Sequence, residues 1–122
     1  MSGKAVFQPR VWKELEVFYS ESVTVGGRGP LFISPNMILF EADSSSGSEL
    51  SHEYAVSDVL IAKPYRGILS LFRKSIRIST KQGKKYVYEI EIDRTNGNDV
   101  EITEENVLMI NKEVIELINN NR

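Results

Sequence analysis

The sequence predicts a mainly β fold, an antiparallel barrel or sandwich of about seven short strands capped by one C-terminal α-helix. Between residues 15 and 92 apolar and polar residues alternate, the period of half-buried strands. The period changes only beyond Thr103, where Val107, Ile110, Val114 and Leu117 form a single helical stripe. The third observation is scale: 122 residues, 41% of them hydrophobic, suit one domain over 1–122 with one core. A run of short strands leaves edges and faces bare. Curling the sheet and plugging one open end with the helix covers both.

The elements follow in order. Residues 1–12 form a leading segment, with Trp12 packed over the barrel. Leu15, Val17 and Tyr19 alternate with polar residues, and Val23 and Val25 lead into Gly26-Gly27-Arg28-Gly29-Pro30. This reads as one long or broken strand, the glycines serving as a bulge or turn. The apolar runs 31–33 and 37–40 flank Ser34-Pro35-Asn36. Proline presets the turn dihedral and serine bonds back to the backbone, so a tight antiparallel connection is expected. Residues 43–51 are a loop by composition, 52–56 a strand, Ser57-Asp58 a break, and 59–63 a strand that stops at Pro64.

The hairpin 75–92 is the clearest unit. Ile76 and Ile78 share one face, Gln82-Gly83 turns the chain, and Tyr86, Tyr88, Ile90 and Ile92 line one face as core. Asn96-Gly97, with Val100 and Ile102 beyond, predicts an extra hairpin arm. Thr103 is the expected N-cap of a helix over 103–119, with Glu104 and Glu105 at the positive end of its dipole. Leu108, Ile115 and Ile118 widen its apolar stripe, and residues 119–122 are expected to fray.

The chemistry of the chain excludes more than it offers. Without cysteine there is no disulfide, thiolate metal site or cysteine nucleophile, and one histidine makes no multi-histidine metal site. His52 lies between Ser51 and Glu53, but adjacent strand residues face opposite ways and cannot converge as a triad, so it reads as a surface residue. The glycines at 26–29 precede no Gly-Lys-Ser/Thr and open no helix, which excludes a phosphate loop. Asp93, Asn96, Asn98, Asp99 and Glu101 supply oxygens, yet the glycine is misplaced for an EF-hand, leaving a polar hairpin loop. No catalytic residue, metal or cofactor is expected, and the chain reads as a non-enzyme. No apolar run exceeds six residues and the first ten carry no signal-peptide core, so a cytoplasmic protein, peripheral to membranes at most, is expected.

Charge is unevenly placed. The net charge of −2 argues against nucleic acid as a partner. Between Leu60 and Tyr88, however, lie eight basic residues and no acidic ones: Lys63, Arg66, Arg73, Lys74, Arg77, Lys81, Lys84 and Lys85. Such asymmetry creates a local positive surface on an acidic protein. Within it, residues 63–74 hold Ile68, Leu69, Leu71 and Phe72 between basic flanks. Apolar tips bracketed by cations suit an anionic membrane or the acidic groove of a partner, and equally suit the cap of a barrel.

Three stretches also match a family pattern. Residues 29–40 (Gly-Pro-Leu-Phe-Ile-Ser-Pro-Asn-Met-Ile-Leu-Phe) form a glycine-led hairpin ending in phenylalanine. Residues 54–59 (Tyr-Ala-Val-Ser-Asp-Val) make an aromatic strand closed by Asp-Val, and residues 75–88 (Ser-Ile-Arg-Ile-Ser-Thr-Lys-Gln-Gly-Lys-Lys-Tyr-Val-Tyr) make a second hairpin. In this order, followed by one helix, they resemble the pleckstrin-homology (PH) superfold over residues 14–119, in its GRAM-type and bacterial PH-like branches. The chain departs from those branches at Asn36-Met37, where GRAM hairpins carry a basic residue. It also offers little beyond Arg28 between the first two strands, where PH domains that bind phosphoinositides cluster cations. The resemblance implies a PH-like barrel and a binding module whose partner is an anionic lipid, a phosphoinositide bound weakly, or a protein. A self-assembly scaffold is the remaining alternative, and oligomeric state is left open.

Overall fold

The computed structural model describes residues 11–45, 47–66 and 74–122. Its strands are β1 (Lys13–Ser20), β2 (Gly26–Ile33), β3 (Met37–Phe40), β4 (His52–Ala55), β5 (Val59–Tyr65), β6 (Ser75–Thr80), β7 (Lys85–Asp93) and β8 (Val100–Glu101). Among the described residues one α-helix, α1 (Val107–Asn119), follows, and short 3-10 turns occupy Ser48–Leu50 and Val56–Asp58. The antiparallel sheet runs β4-β3-β2-β1-β7-β6-β5, with the two-residue β8 continuing the line of β6 along β7.

The sheet curls strongly. Strands β4 and β7 stand four places apart, about 19 Å in a flat sheet. Yet the Tyr54 and Tyr86 rings stack at 4.3 Å, and a His52 ring nitrogen lies 2.7 Å from the Tyr88 hydroxyl. The inward residues Leu15, Val17, Leu31, Ile33, Ile38, Ile76 and Ile78 fill the concave side, and Tyr19, Phe40, Tyr54 and Tyr88 make an aromatic wall. Fold class, curl and single late helix agree with the sequence expectation, as do the Ser34 turn, the Gly83 turn and the extra β7–β8 arm. Ser34 both donates to and accepts from Met37 backbone through its hydroxyl.

Other expectations are corrected. The glycines at 26–29 lie inside β2 rather than in a turn, and at Gly29 the backbone of Glu41 and Ala42 approaches too closely for a Cβ. Strand β5 passes through Pro64 to Tyr65, since it is the last strand of the sheet and needs no donor on its outer side. A bulge sets Glu16 opposite Ile92 but Val17 opposite Ile90. It turns Ile92 away from the core and brings Asp93 inward, where Lys13 reaches both Asp93 and Glu113 on α1.

The helix begins at Val107, four residues later than expected. Thr103 and Asn106 exchange side-chain-to-backbone bonds of 2.7 and 3.4 Å, which hold 103–106 as a turn and make Asn106 the N-cap. Ile110, Val114 and Ile118 are buried, whereas Leu108 is 64% exposed and does not extend the stripe. Asn119 does not fray: its amide accepts from Ala62 N–H at 2.9 Å and donates to Ala62 C=O at 2.8 Å. The side chain thus satisfies an open backbone pair on the β5 edge.

Asn111 sits on the buried side of α1, and its Oδ1 has no hydrogen-bond partner among the described residues. An orphaned buried carbonyl costs about 1–3 kcal/mol. Asn111→Leu is therefore expected to raise unfolding stability by about 1–2 kcal/mol in urea titrations, and a lower denaturation midpoint contradicts that account.

Candidate functional site

The register brings three of the sequence-predicted cations to one outer face. Lys63 on β5 stands directly opposite Arg77 on β6, and Ser79 on β6 stands opposite Lys85 on β7. Like charges directly opposite each other destabilise a sheet. Lys81 and Lys84 extend the positive surface at the β6–β7 turn, and exposed Arg66 follows β5 at its other end. A bulge pushes Leu60 out of register, so Leu60 and Ile61 are both exposed beside Lys63.

Two of these cations lie over tyrosine rings. Lys13, Arg28 and Arg94 pair with carboxylates: Lys13 with Asp93 and Glu113, Arg28 with Glu91 at 2.9 Å, and Arg94 with Glu16 at 3.0 Å. Arg77 instead lies over the Tyr65 ring at 5.1 Å, and Lys84 over Tyr86 at 5.6 Å. A ring orients a cation without neutralising it. The Arg77 Nε is also buried without a hydrogen-bond partner among the described residues.

Lys74 precedes β6 at the end of the face where Arg66 follows β5, and the length of β6 separates it from Lys81 and Lys84. It lines a groove of about 320 Å³ with Glu89, Glu91, Glu101 and Glu104, above Ile90, Ile102 and Val107. The predicted apolar tips Ile68, Leu69, Leu71 and Phe72, together with Arg73, lie outside the described residues.

His52 is the residue that sequence reasoning misplaced. It is half-buried in the aromatic wall, 4.5 Å from Tyr19 and 4.6 Å from Tyr86 by ring centroids. The signal was present: His52 shares strand phase with inward-facing Tyr54. Its Nδ1 lies 2.8 Å from Leu50 C=O, and the Tyr88 hydroxyl lies 3.0 Å from that of Tyr54. Burial holds the imidazole below its ordinary pKa; the Leu50 bond opposes the shift, Lys84 adds to it and Glu21 weakly opposes it. Burial likewise pushes Tyr19 up to about 12 and raises Tyr54, Tyr86 and Tyr88. At the end of β7, burial pushes Asp93 up but is outweighed by two bonds from Thr95 and by Lys13, and its pKa falls below the ordinary value.

No protein-family model matches the sequence, and no curated protein is similar to it. Solved structures are similar in shape. The C-terminal domain of an unknown protein from Leishmania infantum superposes with a TM-score of 0.63 at 8% identity, over 96% of this chain and 91% of that one. PDZ-RhoGEF DH/PH domains, in a complex with GTP-gamma-S activated RhoA, match with a TM-score of 0.55 at 11% identity, over 93% of this chain and 31% of that one. With the seven-strand antiparallel order, the curl and the single C-terminal helix, this likeness gives the chain a PH-like fold.

Proposed function

We propose that the protein is a non-enzymatic, GRAM-type PH-like binding module that attaches through its β5–β6–β7 outer face to an anionic membrane surface. The observation that carries the reading is the opposed Lys63 and Arg77, with Lys85 beside them and Arg77 lying over the Tyr65 ring. Charge repulsion tolerated in the free protein is relieved when an anionic surface arrives. Exposed Leu60 and Ile61 supply apolar contact beside the cations. The non-enzymatic part rests on the only histidine, both of whose ring nitrogens are engaged within the fold. The reading places the protein at the cytoplasmic leaflet, where anionic lipids concentrate.

Co-sedimentation with vesicles containing phosphatidylserine tests it. Each cation near such a surface contributes about 1 kcal/mol, so Lys63→Gln with Lys85→Gln is expected to weaken binding about thirtyfold at low salt. Raising the salt should weaken the wild type in the same direction. If the wild type stays in the supernatant at low salt, the membrane reading fails. A protein partner is the second reading, favoured by the RhoA complex of the structurally similar PDZ-RhoGEF chain. Weak phosphoinositide binding falls within the first reading, and vesicles with and without phosphoinositide separate it from general anionic attraction.

A further inference from the structure

The end of the β3–β4 connection, residues 47–51, is fastened to the aromatic wall at a titratable point. Leu50 is buried, its N–H bonds to Gly47 C=O at 3.2 Å, and Ser51 Oγ accepts from Ala42 N–H at 2.9 Å. Immediately after them, His52 bridges Leu50 C=O to Tyr88 on β7, across the curl of the sheet.

The direction of the bonds follows from the donors available. A carbonyl only accepts, so the proton of neutral His52 is on Nδ1, pointing to Leu50. Nε2 is then an acceptor, Tyr88 O–H donates to it, and Tyr54 O–H donates to Tyr88. Every member of this chain is satisfied. Protonated His52 carries a second N–H on Nε2, which must donate to Tyr88. Tyr88 O–H then turns toward Tyr54, and Tyr54 O–H, buried and with no other hydrogen-bond partner among the described residues, is orphaned. One added proton therefore breaks a buried network that a neutral ring completes.

We propose that His52 is an acid-released latch on the β3–β4 connection: neutral, it pins residues 47–51 against the aromatic wall, and protonated, it leaves that wall and frees them. The groups facing the ring are Tyr19 from β1, Tyr54 from β4, Tyr86 and Tyr88 from β7, Lys84 from the β6–β7 turn and Glu21 after β1, with Phe40 of β3 apolar. The four phenols keep their protons in the acid range, so His52, which burial holds below its ordinary pKa, is the group of this cluster that takes up a proton there. The sign is fixed by linkage. A histidine whose folded pKa lies below its free value leaves the pinned state fully favoured above about pH 6.5, and the pinned state weakens as pH falls from there toward the folded pKa.

Imidazole NMR of the intact protein, with amide exchange of Ala42 and Leu50 corrected for intrinsic rates, tests the latch. Expected are an Nδ1–H tautomer at neutral pH, titration below 6.5, and protection at Leu50 that falls up to about tenfold per pH unit within that window. Lys84→Gln, an exposed turn substitution, is expected to raise the His52 midpoint and the loop-opening midpoint together. His52→Gln is expected to make loop protection independent of pH over the same range. An Nε2–H tautomer, a midpoint at or above 6.5, or loop protection that ignores the His52 titration in the wild type or in Lys84→Gln overturns the proposal. The wild-type and Lys84→Gln measurements decide the matter even if His52→Gln does not fold.

Discussion

A chain shortened to end at Glu101 is expected to lose cooperative unfolding. Helix α1 packs on β5 and β6 and contributes Ile110, Val114 and Ile118, each 6% exposed or less. At about 1.5–3 kcal/mol per buried aliphatic side chain, the three together supply about 5–9 kcal/mol, comparable with the whole stability of a typical domain. Shortening also removes the Asn119 amide from Ala62, reopening the β5 edge, and takes Glu113 away from Lys13. The expected shortened chain binds a hydrophobic dye and shows no sharp melting transition. A cooperative melt at the temperature of the full chain contradicts this role for the helix. Replacing Asn119 alone with alanine isolates the edge: a loss of about 1–3 kcal/mol is expected, because Ala62 N–H and C=O both lose a partner.

What could be read from the sequence was what local chemistry decides. The Ser34 hairpin and the Gly83 hairpin rest on residues three or four apart, and both form as expected. The helical stripe is likewise local, although its start depended on the Thr103–Asn106 exchange, which a single N-cap assignment at Thr103 misses. Register is different, because a one-residue bulge changes a face without changing the alternation that precedes it. That is why Ile92 was assigned to the core and why two neighbouring residues, Leu60 and Ile61, are exposed together.

The candidate site divides in the same way. Its basic composition was visible, but the pairing of Lys63 with Arg77 is a register fact, and the placement of Lys74 against four glutamates is a tertiary one. His52 was legible in part. Strand alternation separates it from Ser51 and Glu53 and also puts it on the side of Tyr54, and this second consequence identifies an inward histidine.

The glycines of β2 provide the second large effect. Gly29 pairs with Val17 across the β1–β2 ladder, and a Cβ there would meet Glu41 C=O at 2.0 Å, Glu41 C at 3.0 Å and Ala42 Cα at 3.1 Å. All three are backbone atoms, and the segment that carries them is tied down on both sides: Glu41 N–H donates to Pro30 C=O at 3.0 Å and Asp43 N–H to Arg28 C=O at 2.8 Å. No side chain can swing away to make room. Gly29→Ala is therefore expected to cost about 3 kcal/mol or more, at the top of the overpacking range, and to lower the melting temperature by about 10 °C. Gly83→Ala is the internal control. It meets nothing within 4 Å but holds φ at +92°, so only the left-handed penalty of about 1–2 kcal/mol applies. The order of the two losses is the test, measured by thermal and urea unfolding of both variants. If Gly29→Ala is no worse than Gly83→Ala, residues 41–43 do not lie against β2, and the seat of the β3–β4 connection beside His52 must be redrawn. If Gly29→Ala is much the worse, the backbone of residues 41–43 is locked onto β2, and the response to the state of His52 is confined to the part of the connection next to it, residues 47–51.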